Sequence, residues 1–273
     1  MSIDLNKTLI IQTIIDGNEN TSKWEKMFEI NKKILNHFGY HNIYLLKEKP
    51  EIINSYAYHP LQRSELFLHQ DMEILKKYNH VIYTELDAFF IKPIKEFQKY
   101  CDGVEEDAIM FRDYERSIKT FAQFMFSLWS VDFYKNFISY VKEEFEIIKK
   151  IGHEKYMEYC HSVFPVGIRY VLKDDEIFLT YIVKKYNLKS IVDLDYLSPE
   201  KKNHLRYFVN CFFSEDNKLN RAWMKEDGNE EQNPKEIDID QVFFLHVIDV
   251  EDKMDRFLKY FKKEFGVNTS EIV

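Results

Sequence analysis

Glycine and proline are both scarce in this chain of 273 residues, at 7 and 6. A β-sandwich needs tight turns at short intervals, so that shortage argues against one, and equally against a glycine-rich phosphate loop. No GxGxxG occurs, and no GxxxxGK followed by Ser or Thr. Dinucleotide-binding and P-loop readings thereby lose their usual support. Positive charge is in deficit too: 38 Lys and Arg face 46 Asp and Glu, a formal net charge of −8. Non-specific nucleic-acid binding needs a net positive face and is not expected. The three cysteines, Cys101, Cys160 and Cys211, lie far apart and form no CxxC metal site. A reduced, intracellular protein is the simplest reading of them. Apolar runs are short and interrupted, the N-terminal one included. Neither a signal peptide nor a membrane span is predicted, and the expected location is cytoplasmic with room for peripheral membrane contact.

What the chain does have is the balance of a globular protein, 45% hydrophobic and 31% charged. Aromatics make up 16%, with 23 Phe and 18 Tyr, which predicts aromatic walls in the core and in any pocket. No repeat and no linker breaks it, so one domain over 1–273 is expected.

Thr8–Ile15 (TLIIQTII) is β-branched and stops at Asp16-Gly17, the pattern of a strand. Ser22 with Glu25 three residues on is a capping-box pattern, and Trp24, Met27, Phe28, Ile34, Leu35 and Phe38 follow at helical spacing. Gly39 stands where a helix C-cap belongs. Asn42–Leu46 is a second strand, completing a β-α-β unit that implies parallel sheet. A helix over Arg63–Tyr78 leads into His80–Thr84 (HVIYT), whose lack of alternation suits a central parallel strand covered on both faces. Further on, Ala122–Ser130 is either strand or buried helix, and Val131–Lys149 is an amphipathic helix. Gly167–Leu172 predicts a strand, Asp174–Tyr186 a helix and Ile191–Leu194 a strand. Ser214–Asp240 is polar and acidic, which predicts a long mobile loop. Gln241–Ile248 is a late strand and Lys253–Phe265 a terminal helix.

The stretch Val81–Ile94 (VIYTELDAFFIKPI) places two acids, Glu85 and Asp87, at the carboxyl end of an apolar strand. Ligands of open α/β sheets bind in the crevice at such ends. In an extended segment, residues i and i+2 face the same way, so the two carboxylates would stand together. A hard divalent cation favours such oxygen ligands. A solvated polar strand end has the same spacing, and spacing alone leaves both readings open.

The order of elements goes further. Arg63 (HPLQRSELF) followed by Tyr78–Ile94 (YNHVIYTELDAFFIKPI) resembles the nucleotide-sugar-binding half of GT-A-fold glycosyltransferases, whose DxD motif holds a metal on the sugar-nucleotide diphosphate. The likeness covers residues 1–100, and Glu85 stands where the family has its first Asp. It implies an α/β fold of GT-A type, with a mostly parallel central sheet flanked by helices. Residues 1–100 would form the nucleotide-sugar half, and residues 101–273 the acceptor half with a mobile loop at 214–240. The implied activity is hexosyl transfer from a nucleoside-diphosphate sugar, with Mn²⁺ or Mg²⁺, to a glycan, lipid-linked or protein acceptor.

By the same resemblance, Asp87 is the direct metal ligand, and Glu85 meets the ribose or the metal's water. Arg63 steadies the diphosphate or a motif acid. His246, at the end of the last strand, returns to the metal. Asp174, Asp175 and Glu176 stand at a helix start where acceptor-side acids are found; one would act as base in an inverting mechanism or stabilise positive charge in a retaining one. Asp is also an ordinary helix cap, and acids suit a first helical turn. Trp223 and Lys225 would close over the donor. Two rivals use the same acids: a metal-dependent nucleotidyltransferase or phosphohydrolase, and a GT-A-like domain without activity.

Overall fold

The structure is a computed structural model that describes residues 4–55, 59–101, 108–112, 122–163, 174–188, 191–193, 208–213, 219–221, 244–247, 258–263 and 266. The chain opens with β1 (Thr8–Ile15), α1 (Thr21–His37) and β2 (Ile43–Glu48). The two strands are parallel, Ile10 standing opposite Ile43 and Ile15 opposite Glu48, as the β-α-β pattern predicts.

The expected Ser22–Glu25 capping box does not form. α1 begins two residues earlier, its N-cap Asn20 makes no side-chain cap bond, and Glu25 pairs with Lys47 on β2 at 2.8 Å. Thr21 ties the helix start back instead, its hydroxyl donating to the Asn18 carbonyl at 2.8 Å. The other end is as expected. Gly39 takes φ +91°, Tyr40 N–H reaches the Leu35 carbonyl and Gly39 N–H the Asn36 carbonyl, the double closure of a Schellman motif.

The helix expected over Arg63–Tyr78 is three short pieces: α2 (Pro60–Glu65), a 3₁₀ turn (Leu66–His69) and α3 (Met72–Leu75). Capping sets the breaks. Pro60 and a His59–Gln62 capping box start α2, and Asp71 accepts from Glu73 N–H to start α3. Then follow β3 (His80–Thr84), β4 (Ala88–Phe90), α4 (Ile94–Cys101), β5 (Ala108–Arg112), β6 (Ala122–Ser130), α5 (Val131–Ile151), α6 (His153–Ser162) and α7 (Asp174–Lys185). β7 (Ile191–Asp193), β8 (Phe208–Phe213), β9 (Leu219–Arg221), β10 (Phe244–Val247) and a helix α8 (258–263) complete the elements of the described residues.

Six strands form one sheet in the order β2-β1-β3-β6-β5-β7. β2/β1, β1/β3 and β5/β7 are parallel, while β6 runs antiparallel to both its neighbours. The fold is therefore α/β with a mostly parallel sheet between helices. β3 is buried at all five positions, although its second neighbour, β6, is antiparallel. On one face α1 packs Met27, Phe28, Ile34 and Leu35 over Ile10, Ile14 and Ile82. On the other, α5, α6 and α7 cover Leu9, Ile11, Val81 and Tyr83. The second core is aromatic as predicted: Trp129, Tyr83, Tyr134, Phe67 and Phe137 are all fully buried.

A smaller sheet, β4-β10-β8-β9, carries the later strands. The expected loop at 214–240 is thus interrupted by β9, which pairs with β8. The strand predicted at 167–172 lies outside the described residues. No helix among the described residues is long and apolar enough to cross a membrane.

Candidate functional site

β3 ends at Thr84 in the large sheet, and β4 starts at Ala88 in the small one. The three residues between them, Glu85-Leu86-Asp87, carry the chain from one sheet to the other. They are not extended, as the i, i+2 argument assumed. Ala88 N–H reaches the Glu85 carbonyl at 3.3 Å and closes a turn. Leu86 is the anchor of that turn, sunk into the α1 core at 6% exposure, while the acids on either side stay half-buried.

Two buried amides hold the turn from the α1 face. Asn31, fully buried in the middle of α1, donates from Nδ2 to the carbonyls of Leu86 at 3.0 Å and Ala88 at 2.8 Å. Gln12, fully buried on β1, donates from Nε2 to the Glu85 carbonyl at 3.2 Å. Three carbonyls in four residues are thus fixed by side chains from two other elements. A buried carbonyl left unpaired is costly, so these bonds restrict the turn to one shape. Sequence reasoning missed both residues. The signal for Asn31 was there, since 27, 28, 31, 34 and 35 is one inward stripe and only position 31 is polar.

Arg63 meets the turn from the other face. Its short helix is fixed by its neighbours: Gln62 Nε2 donates to the Ile53 and Ser55 carbonyls, both at 2.9 Å, and buried Glu65 accepts the backbone N–H groups of Glu51, Ile52 and Ile53 at 2.6–2.8 Å. So mounted, Arg63 forms an ion pair with Glu85 and stands 3.5 Å from Asp175 Oδ2. Asp175 is 2% exposed, and its Oδ1 accepts from Glu176 N–H at 3.0 Å. Beside them the Tyr83 hydroxyl bonds Thr13 at 2.8 Å. Burial pushes the Tyr83 phenol up to about 12, with Arg63 pulling the other way and Asp175 adding to the rise. Two carboxylates, Glu85 and Asp175, thus flank one guanidinium.

Asp174, the residue before Asp175, lies among histidines. His161 Nε2 is 3.4 Å from its Oδ1, and His59 Nε2 is 3.7 Å from its Oδ2. The rings of His59 and His153 meet edge-on at 5.3 Å. The His59 Nδ1 accepts from Leu61 N–H at 3.2 Å as the cap of α2, so the neutral ring carries its proton on Nε2, toward Asp174. Desolvation holds His59 below its ordinary value, against the opposing pull of Asp174, with His153 lowering it further. Residues 59, 153 and 161 share no linear spacing motif, and sequence reasoning did not find this cluster.

The register of β10 against β4 sets His246 opposite Ala88, one residue past Asp87. Trp223 and Lys225 lie outside the described residues. Among the described residues no three His, Cys, Asp or Glu groups are arranged to hold a metal ion by themselves. Mg²⁺-type sites commonly use one or two carboxylates and complete their shell with water and substrate phosphate. Asp87 supplies a carboxylate of that kind, half-buried at the end of the turn. Glu85, engaged by Arg63, fits that pattern less well.

No protein-family model matches the chain, and no curated protein matches it. Solved structures do show likenesses. A197 from STIV superposes at TM-score 0.30 and 12% identity, over 47% of this chain and 67% of that one. A glycosyltransferase involved in glycosylation of the major capsid of PBCV-1 gives 0.42 and 14%, over 75% and 85%. The WbbM bifunctional glycosyltransferase, in its apo structure, gives 0.46 and 10%, over 92% of this chain but only 49% of WbbM, so the chain spans about half of that protein.

Proposed function

We propose that the protein is a glycosyltransferase, moving a sugar from a nucleoside-diphosphate sugar to a hydroxyl on a glycan, lipid-linked or protein acceptor. One observation carries the reading: an acid-x-acid turn at the carboxyl end of a buried strand, locked by Asn31 and Gln12 and faced by Arg63. Crevices at such strand ends are where α/β sheets bind ligands. A rigid turn also presents charge without reorganising as charge develops on a leaving group.

Asp87 and His246 would hold the divalent cation, Mn²⁺ or Mg²⁺. When bound, it would offset negative charge on the departing nucleoside diphosphate. Glu85 acts through Arg63, keeping the guanidinium beside the diphosphate instead of taking a metal bond itself.

The engagement of Glu85 by Arg63 also favours a second reading, a GT-A-like binding domain without catalysis. Incubation with a panel of sugar nucleotides and Mn²⁺, with products identified by mass spectrometry, separates the readings. Transfer predicts nucleoside diphosphate and a glycosylated acceptor. Nucleoside monophosphate with sugar phosphate would point to phosphohydrolysis, and no turnover of any donor to the binding domain.

A further inference from the structure

We propose that His161, oriented by Asp174, is the general base that takes the proton from the acceptor hydroxyl. The inference rests on the glycosyltransferase reading and adds to it the residue that activates the nucleophile and the stereochemical course.

A carboxylate only accepts hydrogen bonds, so the His161 nitrogen facing Asp174 Oδ1, Nε2, carries the ring proton. Nδ1 is left with the basic lone pair, and it has no hydrogen-bond partner among the described residues. The ring is partly open, at 23% side-chain exposure. Asp174 then does for His161 what an orienting carboxylate does in an acid–base dyad: it fixes the tautomer and stabilises the imidazolium once the proton arrives. His59 supports the arrangement from the start of α2 with its Nε2–H toward Oδ2, and its Nδ1 is already committed to Leu61 N–H. His153, at the start of α6, stands against His59 and not within the Asp174 contacts. Of the two imidazoles that face Asp174, only His161 therefore has a nitrogen available to accept a proton. No three of these groups are set to hold a metal, which leaves proton transfer as the chemistry they suit.

The dyad is joined to the donor side through one peptide. Asp174 faces His161, and Asp175, next in the chain, faces Arg63, which pairs with Glu85 of the acid turn. In the reaction, the acceptor O–H proton passes to His161 Nδ1 while its oxygen forms a bond to the anomeric carbon. The bond from that carbon to the phosphate oxygen breaks, and its electron pair leaves with the nucleoside diphosphate. The imidazolium then releases its proton to water. A single displacement of this kind inverts the anomeric centre.

The test compares wild type, His161→Gln, His161→Ala and Asp174→Asn for donor affinity by calorimetry, kcat across pH, and product configuration by NMR. A positioned base contributes about 10²–10⁴-fold, so His161→Gln lowers kcat by that factor with donor affinity unchanged. It also removes the acidic limb of the pH–rate profile, and added imidazole partly restores His161→Ala, which a structural role would not produce. Asp174→Asn removes the carboxylate that fixes the tautomer, so it too lowers kcat with donor affinity unchanged. If wild type transfers sugar but His161→Gln retains kcat within about threefold, or the product keeps the donor's configuration, the base assignment is wrong and the glycosyltransferase reading stands. If wild type neither binds nor turns over any sugar nucleotide, both fall.

Discussion

Asn31 offers the sharpest test of how the fold sets up the acid turn. Its side chain is fully buried among Met27, Phe28, Ile30 and Leu35, and its Nδ2 serves the carbonyls of Leu86 and Ala88. Asn31→Leu keeps most of the volume and removes both donors. Each buried acceptor left without its partner costs about 1–3 kcal/mol. Because the two carbonyls belong to one turn and relax together, the sum is expected to fall short of additive, at about 2–4 kcal/mol. For a chain of this size that is a fall in Tm of about 5–15 °C, read by calorimetry or circular dichroism. The turn also loses its fixed shape, so donor affinity should drop by about tenfold, ~1.4 kcal/mol, beyond the stability effect. Asn31→Asp should be worse, since it sets a carboxylate oxygen against two carbonyl oxygens. An Asn31→Leu protein within ~0.5 kcal/mol of wild type, binding donor normally, would refute the idea that this amide shapes the site.

Away from the site, Glu144 on α5 is fully buried and accepts from the Tyr156 and Tyr186 hydroxyls, each at 2.6 Å, and from Lys185 at 2.5 Å. Glu144→Ala removes the acceptor that all three share, although Tyr186 keeps its bond to Glu143 at 3.0 Å, and is expected to cost about 3 kcal/mol in chemical unfolding, with Glu144→Gln milder; a loss under ~1 kcal/mol would show the network to be dispensable. Burial lowers His59 below its ordinary 6.5, so the unfolded chain binds the extra proton first. Its contribution is full above that value and is lost as pH falls through the lower folded value. Protonation at Nδ1 also destroys the acceptor that caps α2. Melting temperature should therefore decline below pH 6.5 with a shallower slope in His59→Gln, and equal slopes would contradict the assignment.

The elements that could be read from the chain are those whose residues decide their own conformation. β1, β3 and α5 are long, strongly patterned runs, and each forms as expected, α5 extending two residues further. Ala122–Ser130 was ambiguous because a buried strand and a buried helix segment look alike over nine residues. Pairing with β3 and β5 makes it a strand. The break in Arg63–Tyr78 was hidden because His59 is not a usual cap, and because the second start, at Asp71, lies within an otherwise helical pattern. Glu25 shows the converse: a cap-like spacing that forms no cap, since Lys47 on β2 offers a better partner.

At the candidate site, the acids Glu85 and Asp87 were found for a reason only partly right. They flank Leu86, and a turn brings them out on either side of that anchor; they do not share the face of an extended strand. Arg63 was singled out, and it does reach a motif acid, but its second partner, Asp175, lies 112 positions away in the sequence. The Asn31 and Gln12 bonds and the histidines around Asp174 are contacts between distant segments, and local patterns do not report those.

On this proposal Asp87, at the end of the acid turn, would seat a divalent cation on a nucleoside diphosphate. Calorimetric titration of a panel of nucleoside diphosphates and their sugars, in Mn²⁺ and in EDTA, tests it on wild type and Asp87→Ala. Binding of one nucleotide family is expected to require Mn²⁺ and to be lost in Asp87→Ala, while the variant keeps its Tm. Binding that is indifferent to EDTA and survives Asp87→Ala, or no binding by any nucleotide, would contradict it.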